Sequence, residues 1–119
     1  MHKFLLGMLL SYQIPYGNER AMQTCIGKIL EANNIGYIPE HRFCDRDRVD
    51  FWIPEQRIAL ECKVDGGATK VLSQLLRYAE HEQVGSVILV TCRASHRSEM
   101  SDLTTLNNKP FSLIWVASL

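Results

Sequence analysis

Apolar residues recur along this chain at three different periods, and each period predicts a different kind of element. Between residues 18 and 36, Met22, Cys25, Ile26, Ile29 and Leu30 fall at helical spacing. That spacing predicts an amphipathic helix of about four turns. Asn18 is placed to cap its start, and Asn34 and Gly36 to end it. The next two segments, "YIPEHRF" and "DRVDFWI", alternate as strands do, the first weakened by Pro39. "RIALECKV" continues the alternation and stops at Gly66-Gly67. In "TKVLSQLLRYAEHE" the period returns to helical, with Val71, Leu72, Leu75, Leu76 and Ala79 on one side and an end near Gly85. "SVILVT" is continuously apolar, the pattern of a strand covered on both faces. A polar stretch over 93–109 has room for a short helix from about Ser98, and "FSLIWVA" predicts a last strand.

The expected order is α-β-β-β-α-β-(α)-β. The hairpin requires antiparallel pairing, and the strand–helix–strand unit implies a right-handed parallel crossover. The expectation is therefore an α/β fold: an αβββαβ core with a central mixed sheet flanked by helices, in a single domain over residues 1–119. At the N-terminus, "MHKFLLGMLLSY" has a lysine followed by a short apolar run, which superficially resembles a signal peptide. No small-x-small cleavage site follows, and the run is far below the roughly 20 apolar residues of a membrane span. It is expected to be a core or oligomer-contact segment, with no membrane partner.

Composition adds limits rather than direction. Hydrophobic residues at 46% and charged residues at 22% are globular values. Thirteen basic residues balance thirteen acidic ones, so net charge does not point to a polyanion, although a local basic patch remains compatible with one. The four cysteines include no Cys-x-x-Cys pair, which argues against a zinc knuckle. Cys25 and Cys62 are expected as buried, reduced thiols of a cytoplasmic protein. His41 beside Cys44 begins a soft-metal set, but no two further ligands stand near them in sequence.

The chemistry concentrates in "RVDFWIPEQRIALECKVDGG", residues 48–67. A tight turn at Glu55-Gln56 sets Pro54 opposite Arg57, and hence Asp50 opposite Glu61. Alternation then puts Val49, Phe51 and Ile53 on one face and Arg48, Asp50 and Trp52 on the other. In the next strand Leu60, Cys62 and Val64 share a face, and Ala59, Glu61 and Lys63 the opposite one. Asp50, Glu61 and Lys63 would thus converge, and a one-residue slip would separate them. Opposed residues have Cβ atoms about 5 Å apart, so two carboxylates there repel. A divalent cation relieves that repulsion, and hard carboxylate oxygens suit Mg²⁺ or Mn²⁺. Lys63 beside the cation would position water or stabilise charge on a phosphate. The bland reading is a solvated hairpin face with a Glu–Lys pair.

With "VD" at Val49-Asp50 and "ECK" at Glu61-Cys62-Lys63, the chain resembles the PD-(D/E)XK nuclease superfamily of restriction-endonuclease-like fold. The motif's proline is Val49 here. "SQLLRY" supplies a Gln-x-x-x-Tyr pattern at Gln74 and Tyr78, similar to small resolvase- and VRR-type nucleases. The resemblance implies that Asp50 and Glu61 hold Mg²⁺ or Mn²⁺, with the Cys62 carbonyl as a further oxygen. It assigns Lys63 as the catalytic lysine, Gln74 as a residue at the site, and Glu19 as a first-helix acid. Glu19 also suits the helix dipole where it stands. The cysteine thiol itself is turned away from Lys63 by parity.

Lys70, Gln74, Arg77 and His81 form one polar stripe, which amphipathicity alone reads as a solvated face. Lys70 and Arg77 are candidate phosphate contacts, and so are Arg93 and Arg97 in the loop after the buried strand. The expected function is metal-dependent hydrolysis of DNA phosphodiesters, directed by backbone or structure rather than by a long base sequence. Cutting both strands requires two sites, so a homodimer through the N-terminal segment is expected. The alternative is a catalytically silent module of the same fold that binds nucleic acid or acts in assembly.

Overall fold

Two period-3.6 segments and three period-2 segments are enough to seed a layered structure, because each must bury one face against another element. In the computed structural model, which describes residues 2–116, the chain runs α1 (His2–Leu10), α2 (Glu19–Ala32), β1 (Ile38–Arg42), β2 (Arg48–Ile53) and β3 (Ile58–Lys63). It continues with α3 (Ala68–Glu80), β4 (Ser86–Thr91), α4 (Ala94–Met100), β5 (Thr105–Leu106) and β6 (Lys109–Trp115). The strands form one sheet in the order β1-β2-β3-β4-β6-β5. β1, β2 and β3 pair antiparallel, β3–β4 and β4–β6 pair parallel, and β5 returns antiparallel on β6. The fold is α/β with a mixed sheet, as the patterning implies. No helix among the described residues is long and apolar enough to cross a membrane.

The sheet separates two apolar layers. On one face Leu5 and Leu9 of α1 and Met22, Ile26 and Leu30 of α2 pack with Phe51, Ile53, Leu60, Cys62, Ile88 and Val90. On the other face Val71, Leu75 and Tyr78 of α3 and Met100 of α4 pack with Trp52, Ala59, Val87 and Leu89. Every residue of β4 is buried, the consequence of its central place and of helices on both sides. β1, the edge strand, keeps Pro39 where a missing N–H is tolerated.

Several sequence expectations change. The N-terminal segment is a helix that buries Leu5 and Leu9 and leaves Phe4 and Leu10 exposed. α4 begins at Ala94 rather than near Ser98. The polar stretch also holds a hairpin, β5–β6, turned by Asn107 and Asn108, both at positive φ as asparagine tolerates in such turns. Cys25 is only partly buried, being at the margin of the α2 stripe, whereas Cys62 is fully buried. All four cysteines are free thiols. Leu76 is exposed, while Tyr78 takes the core position beside Leu75. Ala117, the last residue of the expected final strand, lies outside the described residues.

The Asn18 side chain accepts a hydrogen bond from the Ala21 N–H at 3.0 Å, fixing the first turn of α2 and with it Glu19. Asn18→Ala should cost about 1 kcal/mol of folding stability, measured by urea unfolding.

Candidate active site

The β2–β3 hairpin has the register that the turn chemistry implies. The Arg57 N–H closes the turn on the Pro54 carbonyl at 3.2 Å, and Ile53, Trp52 and Phe51 pair with Ile58, Ala59 and Leu60. One step further, Asp50 comes opposite Glu61. There the backbone ladder stops and side chains take its place. The Asp50 N–H donates to Glu61 Oε1 at 3.0 Å, and the Cys62 N–H donates to Asp50 Oδ2 at 2.8 Å. Each carboxylate thus caps a backbone donor of the opposite strand.

This exchange corrects the expected face pattern. Simple alternation groups Val49 with Phe51 and Ile53, but Val49 lies in the α3-side layer with Trp52, and Phe51 and Ile53 in the α2-side layer. The strand rotates at Asp50, beside the point where Glu40 of β1 leaves the extended region at φ 50°. Asp50 consequently lines a cleft with Gln23, Thr24 and Gly27 of α2. Lys63 lines a cleft of about 270 Å³ with Lys70, Gln74 and Arg77 of α3. Asp50 and Glu61 meet in the gap between the strands instead of standing side by side on one face.

Glu19, in the first turn of α2, reaches the end of β3, where its Oε1 accepts from the Val64 N–H at 3.4 Å. Lys63 Nζ lies 3.4 Å from Glu61 Oε2. Gln74 donates to the Tyr78 hydroxyl at 2.9 Å, and that hydroxyl donates to the Arg48 carbonyl at 2.6 Å. α3 is thereby tied to the strand residue two before Asp50. Cys62 turns its thiol into the α2-side core, as parity requires, and burial pushes the thiol's pKa up. Its place in the site is through its main chain.

The remaining candidates are distributed around this centre. Lys70 is exposed on the rim of the α3-side cleft. Arg77 does not point freely to solvent; its Nε pairs with the buried Asp47 at 2.9 Å, and His81 holds the other oxygen of the same carboxylate at 2.8 Å. Arg93 pairs with Asp65 at 2.7 Å, and the Arg97 guanidinium lies over the Trp115 ring at 5.0 Å. His41 and Cys44, which the sequence left without further ligands, do not join in one metal set. His41 stacks on Trp52, and Cys44 instead joins Asp47 and His81. Sequence reading missed this trio because Asp47 and His81 lie 34 positions apart.

Electrostatics set the carboxylates apart from a solvated hairpin face. Burial, then the neighbouring Asp50 charge, pushes the Glu61 carboxyl up to about 8. Burial likewise raises Asp50, against the Cys62 N–H that favours its anion, and the Glu19 charge raises it further. Lys63 acts in the opposite sense on both. A buried Glu61 sharing one gap with half-buried Asp50 binds a proton where an ordinary pair would bind none. A divalent cation would supply the missing positive charge through the Asp50 and Glu61 oxygens, hard donors that suit Mg²⁺ or Mn²⁺. Glu19 stays on the Val64 N–H, and among the described residues the set of three side chains with ligand atoms within 4.8 Å of one another is Cys44, Asp47 and His81. Comparisons with protein-family models, curated proteins and solved structures found no match.

The raised Glu61 pKa fixes a sign. Between the unfolded value of 4.5 and the folded value of about 8, the native state binds more protons than the unfolded chain. Stability of the metal-free protein should therefore fall as pH climbs through that window, by at most about 1.4 kcal/mol per pH unit. Thermal unfolding of Glu61→Gln should show a flatter pH profile and a higher Tm than the unsubstituted chain near pH 8.

Proposed function

We propose that the chain is a metal-dependent deoxyribonuclease with a restriction-endonuclease-like core, acting on DNA through its backbone or its structure. The observation that carries this reading is the exchange between half-buried Asp50 and buried Glu61, with Lys63 Nζ 3.4 Å from Glu61 Oε2. Such a pair costs stability in the absence of a cation, which a purely structural hairpin has no need to bear. The element order αβββαβ over α2 to β4 supports the same reading.

Asp50 and Glu61 would hold Mg²⁺ or Mn²⁺, with the Cys62 carbonyl as a further oxygen and Glu19 at the margin of the site. A cation bound there supplies Lewis acidity toward a phosphodiester oxygen and toward water. Lys63 holds an ammonium where negative charge on a phosphate would develop. Gln74, oriented by Tyr78, presents an amide to the same cleft. Lys70 on the cleft rim is the best placed of the basic candidates to meet a phosphate. Arg77, Arg93 and Arg97 would first have to be drawn from Asp47, Asp65 and Trp115. Cutting two strands would employ a homodimer, with the exposed Phe4 and Leu10 of α1 as the contact.

Incubation with plasmid, linear and four-way-junction DNA should show cleavage with Mg²⁺ or Mn²⁺ and none with EDTA. Glu61→Ala should abolish cation binding and cleavage, and Lys63→Ala should slow cleavage by roughly 100-fold or more. Metal binding without cleavage of any substrate would favour the silent module, and undiminished cleavage by Lys63→Ala would exclude this mechanism.

A further inference from the structure

A second group of ligand atoms stands away from the carboxylate gap, and it has a different chemistry. Cys44, Asp47 and His81 each offer one atom, and these atoms lie within 4.8 Å of one another. Cys44 and Asp47 come from the connection between β1 and β2, which is drawn into a tight loop by the Phe43 N–H on the Asp47 carbonyl at 2.8 Å and the Asp47 N–H on the Cys44 carbonyl at 3.3 Å. His81 caps the C-terminus of α3.

The three groups are already oriented. Cys44 Sγ donates to Asp47 Oδ2 at 3.6 Å, and His81 Nε2 approaches the same oxygen at 2.8 Å. Two protons therefore converge on one carboxylate oxygen, in the position a cation would take. The other oxygen, Oδ1, is held by Arg77 Nε at 2.9 Å, leaving Oδ2 to serve as a single donor. The Phe43 ring stacks on the His81 ring at 5.1 Å and 28°, which fixes the imidazole plane. Burial pushes the Asp47 carboxyl up, but the bonds from Arg77, His81 and Cys44 outweigh it and hold the group below its usual value. The Arg77 bond to Oδ1 is the outer support that orients a ligating carboxylate.

We propose that Cys44, Asp47 and His81 form a Zn²⁺ site that clips the β1–β2 loop to the end of α3. Thiolate, imidazole and carboxylate together suit Zn²⁺ and are unsuited to Mg²⁺ or Ca²⁺. On binding, the Cys44 thiol releases its proton to solvent, and the imidazole proton passes by solvent exchange from Nε2 to Nδ1, which frees Nε2 to coordinate. Cys44 is exposed, so the fourth position is open to water. This site stands independently of the nuclease reading.

The test is titration of the reduced, metal-free protein with Co²⁺, followed by Zn²⁺. Expected are tetrahedral cobalt bands with thiolate-to-metal charge transfer, displaced by one equivalent of Zn²⁺, and a rise in Tm with Zn²⁺. Cys44→Ser, an exposed substitution, should remove the charge transfer, and His81→Ala should weaken binding at least tenfold. Glu61→Gln should leave the spectrum intact. Absence of charge transfer, its survival in Cys44→Ser, or its loss in folded Glu61→Gln would overturn the proposal.

Discussion

The structure turns on two hydrogen bonds that replace a step of the β2–β3 ladder. An antiparallel pair normally satisfies its N–H groups with carbonyls across the ladder. After Phe51–Leu60 this hairpin satisfies the Asp50 and Cys62 N–H groups with the carboxylates of Glu61 and Asp50 instead. The backbone is kept satisfied, so the strands can part without leaving buried donors unpaired. In exchange, Glu61 is buried beside the half-buried Asp50, and burial with mutual repulsion drives Glu61 toward its neutral form.

The surrounding fold holds that gap open from both faces. α2 brings Glu19 to the end of β3, and its Gly27 lets Tyr37 and Phe51 approach closely; a Cβ there would meet the Tyr37 hydroxyl at 3.0 Å. From the opposite face, α3 sends Tyr78 to the Arg48 carbonyl and Gln74 to Tyr78. Arg77 and His81 carry the same helix onto Asp47, immediately before β2. From Gln74 to His81 the polar stripe of α3 is consequently a line of anchors, while Lys70 stays exposed on the rim. Its spacing placed the residues on one side of the helix; only the tertiary structure gives them partners.

Much of this was legible in the sequence because it depends on local rules. Asn18 capped the helix it was placed to cap, and the Pro54–Arg57 turn dictated the pairing that sets Asp50 against Glu61, whereas β3 stops at Lys63, short of Gly66-Gly67. What escaped was non-local. Alternation alone could not foresee that Val49 would change layers, because the rotation at Asp50 comes from side chains replacing ladder bonds. In sequence α1 was only a short apolar run, and its burial of Leu5 and Leu9 depends on packing against the first layer. Cys44, Asp47 and His81 converge only once α3 is laid across the sheet.

If the carboxylate gap exists to hold a cation, proton and cation must compete for it. The most direct measurement is Mn²⁺ affinity as a function of pH, in a Cys44→Ser background so that only this site counts. Affinity should rise as Glu61 loses its proton and level off above about pH 8, with Glu61→Gln abolishing the dependence. Affinity that is flat across this range, or equal in Glu61→Gln, would contradict a metal site built on Asp50 and Glu61.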